Sequence, residues 1–279
     1  MQTPNLSLYS NIAALTPLNP FDRFPDGRPK VPDDLLERMK EVTVEEAWHV
    51  LKENGYLHQH TSAWQILHPD QVLVGRAVTS AYMPTRADLH QVVEDWGHER
   101  GSIGLHNSFA IDTLVEGDVI VVDMLGKVKD GTFAGDNLGT AIAQKTKRGA
   151  IIDGGVRDVI RMGQIPDLQV FHRGVDASAI KDVTLTSLNG PIHIGGATVL
   201  PGDVVLGSIS GVIFIPPHMA QLVVEESERI RLEDYWGQTR IREGIYTSGQ
   251  VDGFWTDAMH ADFKAWHTAW ADSGRPKLV

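Results

Sequence analysis

Val119-Ile120-Val121-Val122, then Gly135-Asp136-Asn137-Leu138-Gly139, then Ala150-Ile151-Ile152-Asp153-Gly154-Gly155-Val156-Arg157-Asp158 read in turn as a strand, a helix entrance and a second strand. The first and third are β-branched runs of strand length bounded by turn residues. Between them a helix is predicted from about Asn137 to Lys147, with Leu138, Ala141 and Ile142 on its apolar side and Gly149 as its stop. Strand, helix, strand at this spacing is a βαβ unit, so the two strands are parallel and the crossover right-handed.

The alternation extends outward in both directions. Val72-Leu73-Val74, Gln169-Val170-Phe171, Val204-Val205-Leu206 and Val212-Ile213-Phe214-Ile215 read as further strands, and the Gly-rich stretch from Leu185 to Leu206 makes the sheet mixed. Upstream, Asp33 and Asp34 open a helix carrying Leu35, Leu36 and Met39. Thr43 with Glu46 forms a capping box for a second helix that Gly55 ends. Residues 1–30, with Pro4, Pro17, Pro20, Pro25 and Pro29, read as an extended arm over a neighbouring surface. After Pro216 and Pro217 a charged helix is expected from His218 to about Glu233. Residues 234–279 form an extension holding Trp236, Trp255, Trp266 and Trp270, suited to packing on the core or on another subunit. The division is therefore arm 1–30, α/β domain 31–233 and Trp-rich extension 234–279.

Composition narrows the function classes. The 279 residues are 42% hydrophobic and 22% charged, as in ordinary globular chains. A net charge of −11 without a basic patch argues against nucleic acid as a partner. The absence of cysteine excludes disulfides, thiolate metal sites and cysteine nucleophiles. No apolar run approaches membrane-spanning length, and the N-terminus lacks a signal-peptide pattern, so a cytoplasmic location is expected.

In parallel α/β units ligands sit beyond the carboxyl ends of the strands. If the two central strands are neighbours, about 5 Å apart, the loops at Gly135–Leu138 and Gly154–Asp158 share a pocket wall. Gly135 admits a close approach, and the first-turn amides of Asp136, Asn137 and Leu138 suit a carboxylate or enolate oxygen. Arg157 offers a forked cation. Asp158 offers the hard oxygen that magnesium or manganese takes, and Asp136 can join through a water. Plainer readings stand beside these: Asp136 as a helix cap, Arg157 with Asp158 as a surface ion pair. His58 and His60 are secondary candidates for metal or substrate contact, Arg86 and His106 for substrate-contacting loops, and the remaining histidines are scattered without ligand spacing.

These segments resemble the RraA-like family, which includes 4-hydroxy-4-methyl-2-oxoglutarate/4-carboxy-4-hydroxy-2-oxoadipate aldolases and regulators of ribonuclease activity A. The resemblance is carried by Gly135-Asp136-Asn137-Leu138, Arg148-Gly149 and Ile152 to Asp158. Val74 to Thr79, Glu116 to Val119, Pro201-Gly202-Asp203 and Gly211-Val212 support it. It implies a compact mixed-sheet α/β fold like the phosphohistidine swivelling domain, with added terminal helices, assembled as a homotrimer or homohexamer. It further implies a class II pyruvate aldolase with oxaloacetate decarboxylation as a side activity. In that reading Gly135 to Leu138 bind the pyruvyl carboxylate of a small 2-oxo acid and Arg157 holds its 2-oxo oxygen. Asp158 anchors a divalent metal, magnesium with manganese as the alternative, and Asp136 orders a water beside it. An acidic residue lent by an adjacent subunit has Glu225 and Glu226 as candidates. A ribonuclease regulator without metal chemistry, and a sugar-acid dehydratase sharing the enolate, are the other classes.

Overall fold

The computed structural model describes residues 12–273; the parts of the expected arm and tail at 1–11 and 274–279 lie outside the described residues. The chain opens with α1 (Ile12–Leu15), α2 (Asp33–Met39) and α3 (Val44–Glu53), followed by short strands β1 (His60–Thr61) and β2 (Gln65–Ile66). The predicted capping box is present: Thr43 Oγ1 accepts from the Glu46 amide at 3.1 Å, and Glu46 accepts from the Thr43 amide at 2.9 Å. Next come β3 (Leu73–Pro84), α4 (Ala87–Glu99), α5 (His106–Ile111), β4 (Asp118–Ala134), α6 (Asp136–Thr146), β5 (Gly149–Val156) and α7 (Val159–Met162). The sheet is completed by β6 (Gln169–Val175), β7 (Val183–Leu188), β10 (Val204–Ser208) and β11 (Gly211–Ile215), with β8 (Ile192–Ile194) and β9 (Ala197–Val199) as a separate hairpin between. After a turn of 3₁₀ helix, α8 (Ala220–Arg242), α9 (Ser248–Val251) and α10 (Asp257–Asp272) close the described chain.

Across the sheet the order is β1-β11-β10-β3-β4-β5-β6-β2, with β7 paired to the far end of β3. The centre is parallel, β3 to β4 to β5 to β6, and the flanks are antiparallel. Period-two alternation sends Val78, Ile120, Val122, Ile152 and Val170 to one face, where they pack with Phe109 of α5 and Ile142 of α6. Their neighbours Ala77, Val119, Val121, Ile151 and Phe171 point the other way, onto Ile192, Ile194, Val199, Val205 and Phe214. A third cluster joins Val74, Leu206 and Ile213 to Leu36, Leu51 and Val223 of α2, α3 and α8.

Several expected boundaries move. The strand expected to end near Asp123 continues as β4 to Ala134, through an irregular stretch where Leu125, Gly126 and Asp130 take left-handed backbone. Its pairing with β5 touches at Lys127↔Gly154 and continues at Thr132↔Gly155 and Ala134↔Val156. The motif at Gly135 therefore leaves the end of a strand directly rather than a loop. Gly149 does not stop α6. Lys147 does so in the left-handed conformation (φ 55), its amide on the Ala143 carbonyl at 2.9 Å. Gly149 instead begins β5 where a Cβ would lie 1.8 Å from the Gln169 carbonyl oxygen, so only glycine lets the two strands meet. The helix expected to end near Glu233 continues to Arg242.

The segment before α2 is tied to the sheet by a buried ion pair. Arg28 reaches both oxygens of Asp118 at the start of β4, at 2.8 and 3.3 Å, and the two side chains are 2% and 0% exposed.

Candidate functional site

The site lies where two parallel strands end side by side. Ala134 closes β4, Val156 closes β5, and the Arg157 amide donates to the Ala134 carbonyl at 3.1 Å, extending the pairing one residue into the loops. Gly135 is the N-cap of α6, so Asp136, Asn137 and Leu138 form the first helical turn. The two motifs meet: a Cβ on Gly135 would stand 2.5 Å from Asp158 Oδ2 and 3.1 Å from both Arg157 Cγ and Nε. Only a bare backbone fits against that carboxylate and guanidinium.

A glycine N-cap supplies no side-chain acceptor to the helix amides. Asp136 Oδ1 takes the Asn137 amide at 2.9 Å, so the first-turn donors without a helical acceptor or a side-chain cap are those of Asp136 and Leu138. Asp136 Oδ2 faces Arg161 of α7 at 3.3 Å. Asp158 is the N-cap of α7 with left-handed backbone (φ 56), a conformation Asp and Asn tolerate better than most residues. Its Oδ2 lies 3.4 Å from Arg157 Nε, both side chains being substantially exposed. The surface ion pair of the plainer reading therefore exists, but at the mouth of a cleft.

That open cleft, about 160 Å³, is lined by Gly135, Asp136, Asn137, Leu138 and Arg157 from the expected motif; Asp158 stands beside the lining rather than in it. The opposite wall comes from residues the sequence reading missed. Buried Asn107 of α5 donates to the Phe133 carbonyl at 2.7 Å and accepts from the Ser108 amide at 3.1 Å, fixing Leu105 to Ser108 over the cleft. Ala179 and Ile180 from the β6–β7 connection complete it. Neither segment has a motif that marks it in the sequence.

The secondary candidates divide. His60 in β1 bonds through Nε2 to the Ser210 carbonyl at 3.1 Å, His58 is exposed nearby, and neither lines the cleft. Arg86 forms a two-pronged pair with Asp88, both contacts 2.8 Å, away from it. Glu225 and Glu226 are held on α8 by Gln221 and Arg229. His106 is buried in a second cavity that shares Leu105 and Ile180 with the cleft. Burial, with the neighbouring His90, pushes its pKa below the ordinary histidine value. The expectation that the remaining histidines lack ligand spacing is corrected here: His90, Glu94 and His106 converge, with ligand atoms within 4.8 Å of one another.

The main cleft offers a metal oxygens only, from Asp158 and Asp136, 39% and 29% exposed. Such a donor set fits a hard ion whose shell is completed by water.

A family model described as RraA-like, Aldolase/RraA, matches residues 41–214, which span β3 to β11 and both strand-end motifs. The chain belongs to the RraA-like family. Within the family it is 30% identical over 129 residues to a Halalkalibacterium halodurans protein named "Putative 4-hydroxy-4-methyl-2-oxoglutarate aldolase", covering 46% of this chain and 60% of that one. It is 31% identical over 176 residues to Protein DlpA of Legionella pneumophila, covering 62% of this chain and 26% of that protein. The chain thus spans less than two thirds of the length of these curated relatives. Among solved structures, a Pseudomonas syringae protein superposes with a TM-score of 0.65 at 23% identity, over 83% of this chain and 96% of that one. Streptomyces coelicolor RraAS2, described as an unusual member of the RNase ES inhibitor RraA protein family, gives 0.63 at 23%, over 76% and 100%. At that identity the likeness carries the fold, which is the expected mixed α/β one with added C-terminal helices. No helix among the described residues is long and apolar enough to cross a membrane.

Proposed function

We propose that this RraA-like protein is a divalent-metal-dependent pyruvate aldolase. It cleaves a 4-hydroxy-2-oxo acid to pyruvate and an aldehyde or second 2-oxo acid, and decarboxylates oxaloacetate as a side activity. The observation that supports this reading is the seating of Gly135 against Arg157 and Asp158, with an amide turn and a forked cation lining the cleft and a carboxylate at its edge.

The substrate carboxylate sits on the free first-turn amides of α6, where partial positive charge is concentrated. Arg157 faces the 2-oxo oxygen. When the proton leaves the 4-hydroxyl and the C3–C4 bond breaks, its electron pair moves into the C2–C3 bond and charge collects on that oxygen. The guanidinium stabilises it there. Asp158 would hold a divalent ion, magnesium or manganese, which would supply Lewis-acid polarisation there. Asp136, its Oδ2 facing Arg161, accepts the hydroxyl proton through a water and returns it by the same route to C3 of the enolate, which gives pyruvate. Oxaloacetate loses carbon dioxide to the same enolate, so the side activity needs no additional group.

The test is pyruvate release from a panel of 4-hydroxy-2-oxo acids, followed through lactate dehydrogenase with and without magnesium or manganese. Metal-dependent release that Arg157→Lys cuts by about a hundredfold or more is expected, because a point charge cannot reproduce the fork. No release from any panel member, together with binding of a ribonuclease, would replace the aldolase with a regulator. A dehydrated product of unchanged carbon number would replace it with a dehydratase.

A further inference from the structure

Beside the cleft, and independent of the aldolase reading, α4 and α5 bring three donors to one point. His90 and Glu94 stand one turn apart on α4, and His106 is the first residue of α5. Glu94 Oε1 lies 3.0 Å from His106 Nε2 and 3.8 Å from His90 Nε2, and the two imidazoles approach to 4.5 Å between centroids. His98, the next turn of α4, reaches the other oxygen of Glu94 at 3.6 Å. His106 is 4% exposed, and despite its approach to Glu94 its Nε2 has no aligned hydrogen-bond partner. His90 Nδ1 lies 2.8 Å from Thr184 Oγ1 of β7. Donation to that hydroxyl leaves the Nε2 lone pair facing Glu94, the arrangement that orients metal-ligating imidazoles.

We propose that His90, Glu94 and His106 form a second metal site, for an ion of the zinc, cobalt or nickel class, which clamps α4 to α5 beside the cleft. Two imidazoles and one carboxylate with an open fourth position suit such an ion, whereas magnesium prefers oxygen. Bonds of about 2.0–2.1 Å in a tetrahedron need donors about 3.3 Å apart. The donors now lie within 4.8 Å of one another, so ligation would draw them closer. Ligation has a structural consequence. The Leu185 amide of β7 donates to His106 Nδ1 at 3.2 Å, which puts the ring proton on Nε2 in the metal-free protein. Coordination through Nε2 moves that proton to Nδ1, where it opposes the amide, so filling the site releases Leu185.

The experiment titrates cobalt into chelator-stripped full-length protein carrying Asp158→Asn, which removes the main oxygen donor, and repeats the titration with zinc by calorimetry. One equivalent with a visible d–d band, undisturbed by excess magnesium, is expected. His90→Gln or Glu94→Gln should weaken it at least tenfold. Thr184→Val, which keeps every ligand and removes only the partner of His90, should weaken it about tenfold. Hydrogen exchange at the Leu185 amide should speed up in the loaded protein. Circular dichroism confirms that each variant is folded. Absence of stoichiometric cobalt binding, or binding unchanged in both folded His90→Gln and Glu94→Gln, overturns the proposal.

Discussion

Gly135 shows how much of the site rests on a missing side chain. Its φ of −121 is open to any residue, so the restriction is contact alone, with Asp158 Oδ2 2.5 Å and Arg157 Nε 3.1 Å from where a Cβ would stand. Gly135→Ala should therefore fold with a melting temperature close to wild type, yet lose most pyruvate release because Arg157 and Asp158 are pushed aside; full activity would show that their placement is slack. Asp158→Asn keeps the left-handed cap and removes the charge, so metal-dependent turnover should vanish while the fold stays. Asp203 concerns stability instead. Burial pushes its carboxyl up to about 7, against the opposing bond from the Leu200 amide. The unfolded value is near 3.9, so the folded chain holds a proton that the unfolded chain has released. The stabilisation this proton gives is complete below about pH 4 and is lost as pH rises through about 7. Asp203→Asn can still accept from Leu200 and does not ionise. Denaturant titrations should show it gaining on wild type across that window by up to about 4 kcal/mol, three pH units at about 1.36 kcal/mol each; parallel curves would contradict the assignment.

At the level of elements, β4 does two jobs. Its first residue, Asp118, holds Arg28 of the preceding segment, and its last, Ala134, delivers Gly135 to the cleft. Removing one partner of a buried pair strands the other charge, so Arg28→Met should cost about 3–5 kcal/mol in chemical denaturation, and the double change with Asp118→Asn should recover part of it. The same strand marks where sequence reading stops. Val119 to Val122 announce themselves as β-branched residues, and Gly135-Asp136 as a helix entrance. Leu125 to Gly131 carry two lysines, an aspartate and two glycines and read as loop, yet Lys127 within them pairs with Gly154 of β5 and pairing continues beyond them at Thr132. Long-range pairing overrides local propensity there. Arg157 and Asp158 were legible because both motifs sit at ends of adjacent parallel strands, where topology alone forces proximity. The His90, Glu94 and His106 cluster was not. The one-turn spacing of the first two is visible, but the third arrives only through the fold of residues 99–105.

On the scale of the whole molecule, the C-terminal extension stands apart from the three sheet clusters. It begins inside α8, a helix about 35 Å long at 1.5 Å per residue, and folds back on the end of that helix. There Trp236, fully buried, packs against Tyr246, Trp255 and Phe263, and Arg240 grips Asp262 with two bonds of 2.8 and 2.7 Å. We propose that the extension contributes contacts to the homotrimer or homohexamer that the family resemblance implies. Truncation after Arg242 should then give a smaller species in sedimentation velocity, and an unchanged profile would confine the extension to its own helix. The Trp236 and Trp255 rings lie 4.5 Å apart at 52°, close enough for their electronic transitions to mix. Near-ultraviolet dichroism and much of the intrinsic emission will therefore report on this end of the molecule, while the far-ultraviolet strand signal reports on the central sheet. Two melting curves from one sample, read at two wavelengths, would tell whether the two parts come undone together.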